Sequence, residues 1–138
     1  MAEPKLVVID DELEFTKALD QFFSARGYEV HVALRGQSGL QLIETERPDI
    51  VLMDLKMPGM DGDEVLRRIR LTHPDTKVIV ITAYDDGATK QRLLALGAFA
   101  HLEKPLQSIA ILAQTMVRAL ESTRRPAPPN PVDDTATQ

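Results

Sequence analysis

Apolar positions along the chain fall into two alternating patterns. Short continuous apolar runs recur at Leu6-Val7-Val8-Ile9, Ile50-Val51-Leu52-Met53, Val78-Ile79-Val80-Ile81 and Ala98-Phe99-Ala100-His101-Leu102. Runs of this length without polar alternation are what a parallel sheet covered on both faces requires. They predict strands at about 5–9, 49–54, 77–82 and 98–102, and a fifth strand is read at about 28–33. Between them the spacing changes to that of helices. Phe15, Ala18, Leu19, Phe22 and Phe23 form one stripe over about 12–26, ahead of Gly27 as a left-handed cap. Further helices are expected near 36–46, 62–72 and 86–96, the last ending at Gly97. A fifth, about 106–121, repeats Ile109, Leu112, Ala113, Met116 and Leu120. Five βα units of this kind predict an α/β, doubly wound fold.

The periodicity stops near residue 122. Beyond it come Arg-Arg-Pro-Ala-Pro-Pro-Asn-Pro and a polar end, so the expectation is one domain at 1–122 and a Pro-rich disordered tail or truncated linker at 123–138. The 138 residues suffice for one core, and 43% apolar residues is ordinary for a globular protein. With no Cys, disulfides, thiolate zinc sites and cysteine nucleophiles are excluded. The net charge of −5 and scattered Lys and Arg argue against direct nucleic-acid binding by 1–122. No stretch approaches the roughly 20 apolar residues of a membrane span, and none reads as a signal peptide, which makes the cytoplasm the expected location.

The chemistry collects at strand ends. Asp10-Asp11 follow the first run, Asp54 the third strand, Thr82 the fourth and Lys104-Pro105 the fifth. Open α/β sheets hold ligands at those ends. Asp10, Asp11 and Asp54 supply oxygen ligands for a hard octahedral ion, Mg²⁺ or Mn²⁺, and their mutual repulsion is expected to raise at least one pKa. With that charge screened, an Asp54 oxygen can attack phosphorus as a nucleophile, while Lys104, Thr82 and backbone N–H groups meet the phosphoryl oxygens.

In these residues the chain resembles the response regulator receiver domain of two-component signalling. The resemblance spans about 1–122 and rests on the ordered set Asp10-Asp11, Asp54-x-x-Met57-Pro58-x-x-Asp61-Gly62, Thr82-Ala83 and Lys104-Pro105. It implies a flavodoxin-like sheet of order 2-1-3-4-5 flanked by five helices. It also implies Asp54 as phosphoacceptor, and Mg²⁺ on Asp11, Asp54 and the Lys56 carbonyl, with Asp10 acting through a metal-bound water. Thr82 would be the switching hydroxyl, Lys104 its ion-pair partner, and Lys104-Pro105 a cis bond. The family's switch aromatic, three residues before the lysine, is His101 here. Implied partners are a histidine kinase or His-containing phosphotransfer protein and an output protein or domain. They would be engaged through a helix 4, strand 5 and helix 5 face carrying Tyr84, Lys90 and His101, where a homodimer is also an option. Lys56 and Tyr84, two past the acid and two past the threonine, flank the water's path and predict slow self-dephosphorylation.

Each piece has a plainer alternative when taken alone. Asp10-Asp11-Glu12 could serve only as a helix N-cap, Met57-Pro58-Gly59 as a turn and Lys104 as a solvated loop residue. A carboxylate-based phosphatase would use the same nucleophile and metal, but it requires a general acid and a cap. An unphosphorylated interaction module would have shed an acid or the lysine. His31 and His73 read as solvent-facing or loop residues without clustered partners. Met53, Met57, Met60 and Met116 read as packing residues.

Overall fold

The computed structural model describes residues 3–83 and 87–124, without the side chains of Thr123 and Arg124. Its strands are β1 (Lys5–Ile9), β2 (Glu29–Ala33), β3 (Ile50–Met53), β4 (Lys77–Thr82) and β5 (Ala100–Glu103). They alternate with α1 (Leu13–Ser24), α2 (Gly36–Glu46), α3 (Gly62–Thr72), α4 (Thr89–Ala95) and α5 (Ile109–Arg124). All strand pairs are parallel, in the order β2-β1-β3-β4-β5. The doubly wound fold and its expected strand order are therefore observed.

The two-residue period of a strand sorts the core into two layers. Val7, Ile9, Val51, Met53, Val78 and Val80 pack with Ile43 of α2, Val65, Leu66 and Ile69 of α3 and Leu93 of α4. Leu6, Val8, Ile50, Leu52, Ile79 and Ile81 pack with Leu19 and Phe23 of α1 and Leu112, Met116 and Ala119 of α5. Both faces of the three central strands are thus sealed. Each buried Val, Leu or Ile contributes about 1.5–3 kcal/mol, which is why these runs tolerate no polar alternation. Met53 and Met116 are core residues, and Met57 and Met60 pack at its edge, as expected of packing residues.

Helix limits differ from the periodicity where local hydrogen bonding overrides it. The stripe predicts a fifth helix from about 106, but the Ser108 hydroxyl accepts from the Ala110 N–H at 3.1 Å and starts α5 at Ile109. The same helix runs to Arg124, two residues past the expected domain limit; residues 125–138 lie outside the described set. The fourth helix begins at Thr89 rather than 86. Gly27 and Gly97 adopt φ of 93° and 103°, the left-handed conformation expected where helices stop. α3 is capped by Asp61, whose carboxylate accepts from the Asp63 N–H at 3.2 Å.

Gly62, at the start of α3, has no room for a side chain. A Cβ there would stand 2.6 Å from the Leu55 Cα and 2.8 Å from the Leu55 carbonyl oxygen, both backbone atoms of the segment after β3. Gly62→Ala is expected to destabilise the fold by about 1–3 kcal/mol, the usual cost of overpacking, and to displace the Asp54–Lys56 loop. Urea unfolding would show the loss; an unchanged midpoint would contradict the close approach.

Candidate active site

Asp10, Asp54 and Lys104 stand immediately beyond a strand, and Thr82 closes one. The sheet's ladder extends by one bond to hold three of them: the Asp10 N–H donates to the Ala33 carbonyl at 3.0 Å, the Asp54 N–H to that of Ile9 at 3.1 Å, and the Lys104 N–H to that of Thr82 at 3.0 Å. Backbone position is therefore fixed by the sheet, while the side chains are released into the crevice at its C-terminal edge. Alternation continues past the strand ends. Asp10 follows Leu6 and Val8, and Asp54 follows Ile50 and Leu52, on the face that packs α1 and α5. Thr82 follows Val78 and Val80 on the opposite face, where His101, paired in register with Val80, also belongs.

The centre is an ammonium among carboxylates. Lys104 Nζ donates to Asp10 Oδ2 at 2.7 Å, to Asp54 Oδ2 at 2.9 Å and to a Glu12 carboxylate oxygen. It also lies 4.5 Å from the centre of the Phe15 ring, a cation–π contact. The Lys104–Pro105 bond is cis. Asp54 Oδ1 accepts from the Lys56 N–H at 3.2 Å, and Asp10 Oδ1 from the Glu12 N–H at 2.9 Å, so both acids are oriented by loop backbone as well as by the lysine. The side chains of Asp10, Asp54 and Lys104 are 3%, 8% and 10% exposed. Asp54 and Lys104 line a cavity of about 550 Å³ together with Asp11, Glu12, Phe15, Lys56, Thr82, Ala83, Pro105 and Leu106.

Burial pushes the Asp10 pKa above its ordinary value, against the lowering effect of the Lys104 and Glu12 hydrogen bonds; repulsion from Asp54 adds a smaller push in the same direction. The expected raised carboxylate is present, but desolvation and not mutual repulsion is its leading cause. Burial alone would lower the Lys104 pKa; the hydrogen bonds to Asp10, Glu12 and Asp54 outweigh it and hold the ammonium protonated.

Candidate metal ligands are brought together in a changed set. One oxygen each from Asp10, Glu12 and Asp54 lies within 4.8 Å of the others. These are hard donors converging beside a buried, raised carboxylate, a set that fits Mg²⁺. Asp11 lines the cavity but is exposed and does not join that group. Glu12 joins it instead. It occupies the N-cap position of α1, yet its side chain makes no capping bond and turns to Lys104, so capping does not account for this acidic run. Only the third consecutive acid could have signalled it. Phe15 read as helix stripe, and its place beneath the ammonium had no sequence signal.

Two histidine readings are corrected. His73 is a helix-end residue whose side chain is only 9% exposed and lies 3.6 Å from Glu44. His31 sits on β2 with Glu29 at 2.8 Å and Glu46 at 3.4 Å, clustered partners where none was expected. A strand places them together from alternate positions, and a helix end brings the third. His101 lies on β5 with Nε2 buried and without a hydrogen-bond partner. Tyr84 lies outside the described residues. No helix among the described residues is long and apolar enough to cross a membrane.

Comparison with known proteins agrees with this geometry. A family model described as response regulator receiver domain matches residues 6–116. The chain is 37% identical over 105 residues to sporulation initiation phosphotransferase F of Bacillus subtilis, covering 76% of this chain and 85% of that protein. It is 36% identical over 119 residues to the regulatory protein AtoC of Escherichia coli, covering 85% of this chain but only 25% of that one. Among solved structures, the signal receiver domain of a LuxO-type repressor from Vibrio parahaemolyticus superimposes with a TM-score of 0.83 at 26% identity, covering 88% and 93% of the two chains.

The buried Asp10 carboxylate opposes folding when only Lys104, and no metal ion, faces it. Its folded-state pKa is raised above the ordinary 3.8, so ionisation costs stability at neutral pH and the cost vanishes as pH falls below that value. Asp10→Asn is therefore expected to raise the Tm in chelator at pH 7 by a few degrees, about 1 kcal/mol. The gain should shrink under acid, and the stabilisation that Mg²⁺ gives the wild type should be reduced. Thermal unfolding with and without Mg²⁺ tests this; a destabilised variant at pH 7 would refute it.

Proposed function

The chain belongs to the response regulator receiver family, and from that premise we propose that Asp54 is the phosphoacceptor of a two-component switch, charged by a histidine kinase or phosphotransfer protein. The observation that carries the reading is the convergence of Asp10 and Asp54 on the Lys104 ammonium in the wall of an open cavity. An Asp54 oxygen attacks the phosphorus of a phosphohistidine. The new P–O bond forms as the P–N bond breaks, and its electron pair returns to the imidazole of the donor. Asp10 and Asp54, with Asp11 and the Lys56 carbonyl beside them and Glu12 within reach, would hold Mg²⁺, which would supply positive charge where carboxylate and phosphoryl group meet. Lys104 follows the charge from the Asp54 carboxylate to the phosphoryl oxygens, and Thr82, fully buried at the end of β4, closes on the third side.

The signal leaves through the α4, β5 and α5 face. The orphaned Nε2 of His101 supports this reading, because a buried nitrogen without a partner costs about 1–3 kcal/mol and leaves the inward side chain ready to move. Lys90 and Leu94 on α4 and Ile111 on α5 are exposed nearby and provide contacts for a partner, an output domain or a second copy. The domain that closes with α5 carries the switch. The working compartment is the cytoplasm.

Acetyl phosphate with Mg²⁺ should add one phosphoryl group per chain, and Asp54→Ala or chelation should abolish it. Lys104→Ala should keep some labelling but lose the change in partner binding. Equal labelling of Asp54→Ala, read by phosphate-sensitive gel or intact mass, would reject the assignment.

Lys56 is exposed at the cavity mouth, and a long cation there crowds the water that must attack in line. Its replacement by Asn, which can orient that water, should speed phosphate release about tenfold, a barrier change of about 1.4 kcal/mol. Release from pre-labelled protein at or below the wild-type rate would show that Lys56 does not control the water.

A further inference from the structure

At the opposite end of the sheet, Glu29 and His31 on the edge strand β2 meet Glu46, the last residue of α2. We infer that these three side chains form a second metal site, for a borderline divalent transition ion of the Zn²⁺ class. One ligand atom from each lies within 4.8 Å of the others. Nε2 of His31 is 2.8 Å from Glu29 Oε2 and 3.4 Å from Glu46 Oε1. Donors bound to zinc at about 2.0–2.2 Å stand about 3.3 Å apart in a tetrahedron and about 2.9 Å apart in an octahedron, so both carboxylates already stand near ligand spacing from the His31 nitrogen. Mixed nitrogen and carboxylate donors select a transition ion over Mg²⁺, which takes oxygen donors and keeps its waters.

The site is built by the fold. Glu29 and His31 are alternate residues of one strand, opposite Lys5 and Val7 in register, and so share the face that packs α2. All three side chains are half-buried or, for Glu29, exposed at the rim, which leaves an entry path and room for water as a fourth ligand. Lys5 stands beside them, its Nζ 3.4 Å from the same Glu46 oxygen and 3.3 Å from the Glu46 carbonyl. An incoming ion must displace it, and a 37% exposed side chain can swing away. Bound metal would fasten the C-terminus of α2 to the sheet's edge, remote from Asp54.

The test is calorimetric titration with Zn²⁺ in a large excess of Mg²⁺, which keeps the Asp54 site filled. One Zn²⁺ per chain is expected, with a shift of the His31 ring resonances. His31→Ala and Glu46→Gln should each weaken binding tenfold or more while acetyl phosphate labelling, the control for folding, is retained. Lys5→Met, which removes the competing cation, should tighten it. Zn²⁺ affinity unchanged in His31→Ala, an equal loss in His73→Ala or His101→Ala, or binding weakened by Lys5→Met would each overturn the site.

Discussion

One ammonium against three carboxylates governs this molecule. Lys104 carries a single positive charge, and Asp10, Glu12 and Asp54 bring three negative ones to it. Asp10 and Asp54 are buried, and two charges 4 Å apart interact by about 4 kcal/mol at the effective dielectric of such a site. Asp10 and Asp54 cannot relax by moving apart, because the strand ladder fixes each backbone: Asp10 on Ala33, Asp54 on Ile9, Lys104 on Thr82. The fold therefore holds a deficit of positive charge in place, which is the property a cation-dependent phosphoryl acceptor needs.

The same ladder divides the site's work between the two faces of the sheet. Asp10 and Asp54 continue the register of the residues that pack α1 and α5, whereas Thr82 and His101 continue the register of those that pack α2, α3 and α4. The acids are thus gathered on one face of the sheet, and the proposed read-out begins on the other. Thr82 is the residue that belongs to both. It lines the cavity holding Asp54 and Lys104, yet its place on β4 is one step from the partner of His101. Under the proposed reading, a change at Asp54 needs no long path to reach the α4 side; it needs only to move Thr82, which lines the cavity from a strand position on that face.

How far the sequence disclosed this follows from range. Strand runs and helix stripes report local burial, so all five strands and five helices were legible, as were the acids, threonine and lysine at strand ends. Local competition blurred the boundaries: no periodicity announces that Ser108 captures the Ala110 N–H and delays α5. Side-chain convergence across elements was legible only in part. Glu12 looked like a cap because caps are local, and its turn toward Lys104 depends on a residue 92 positions away. Phe15 satisfied the helix stripe whether or not an ammonium lay above it. His31 looked unpartnered because Glu46 is distant in sequence, although Glu29 two residues earlier on a strand was the available clue.

The two ends of the sheet pose the same electrostatic problem at different depths. Each sets a lysine beside clustered carboxylates, Lys104 at the C-terminal edge and Lys5 near the N-terminal edge. The Lys104 side chain is 10% exposed and that of Lys5 is 37% exposed. Solvent screens the shallow cluster, where an ion pair is worth about 0–1 kcal/mol, so Lys5 is a weak and replaceable counter-ion. Burial makes the deep pairs costly to break and the residual charge costly to keep. Depth, and not residue type, separates a lysine whose ion pair solvent makes replaceable from one whose pairs are costly to break, which is the distinction the two proposed roles rest on.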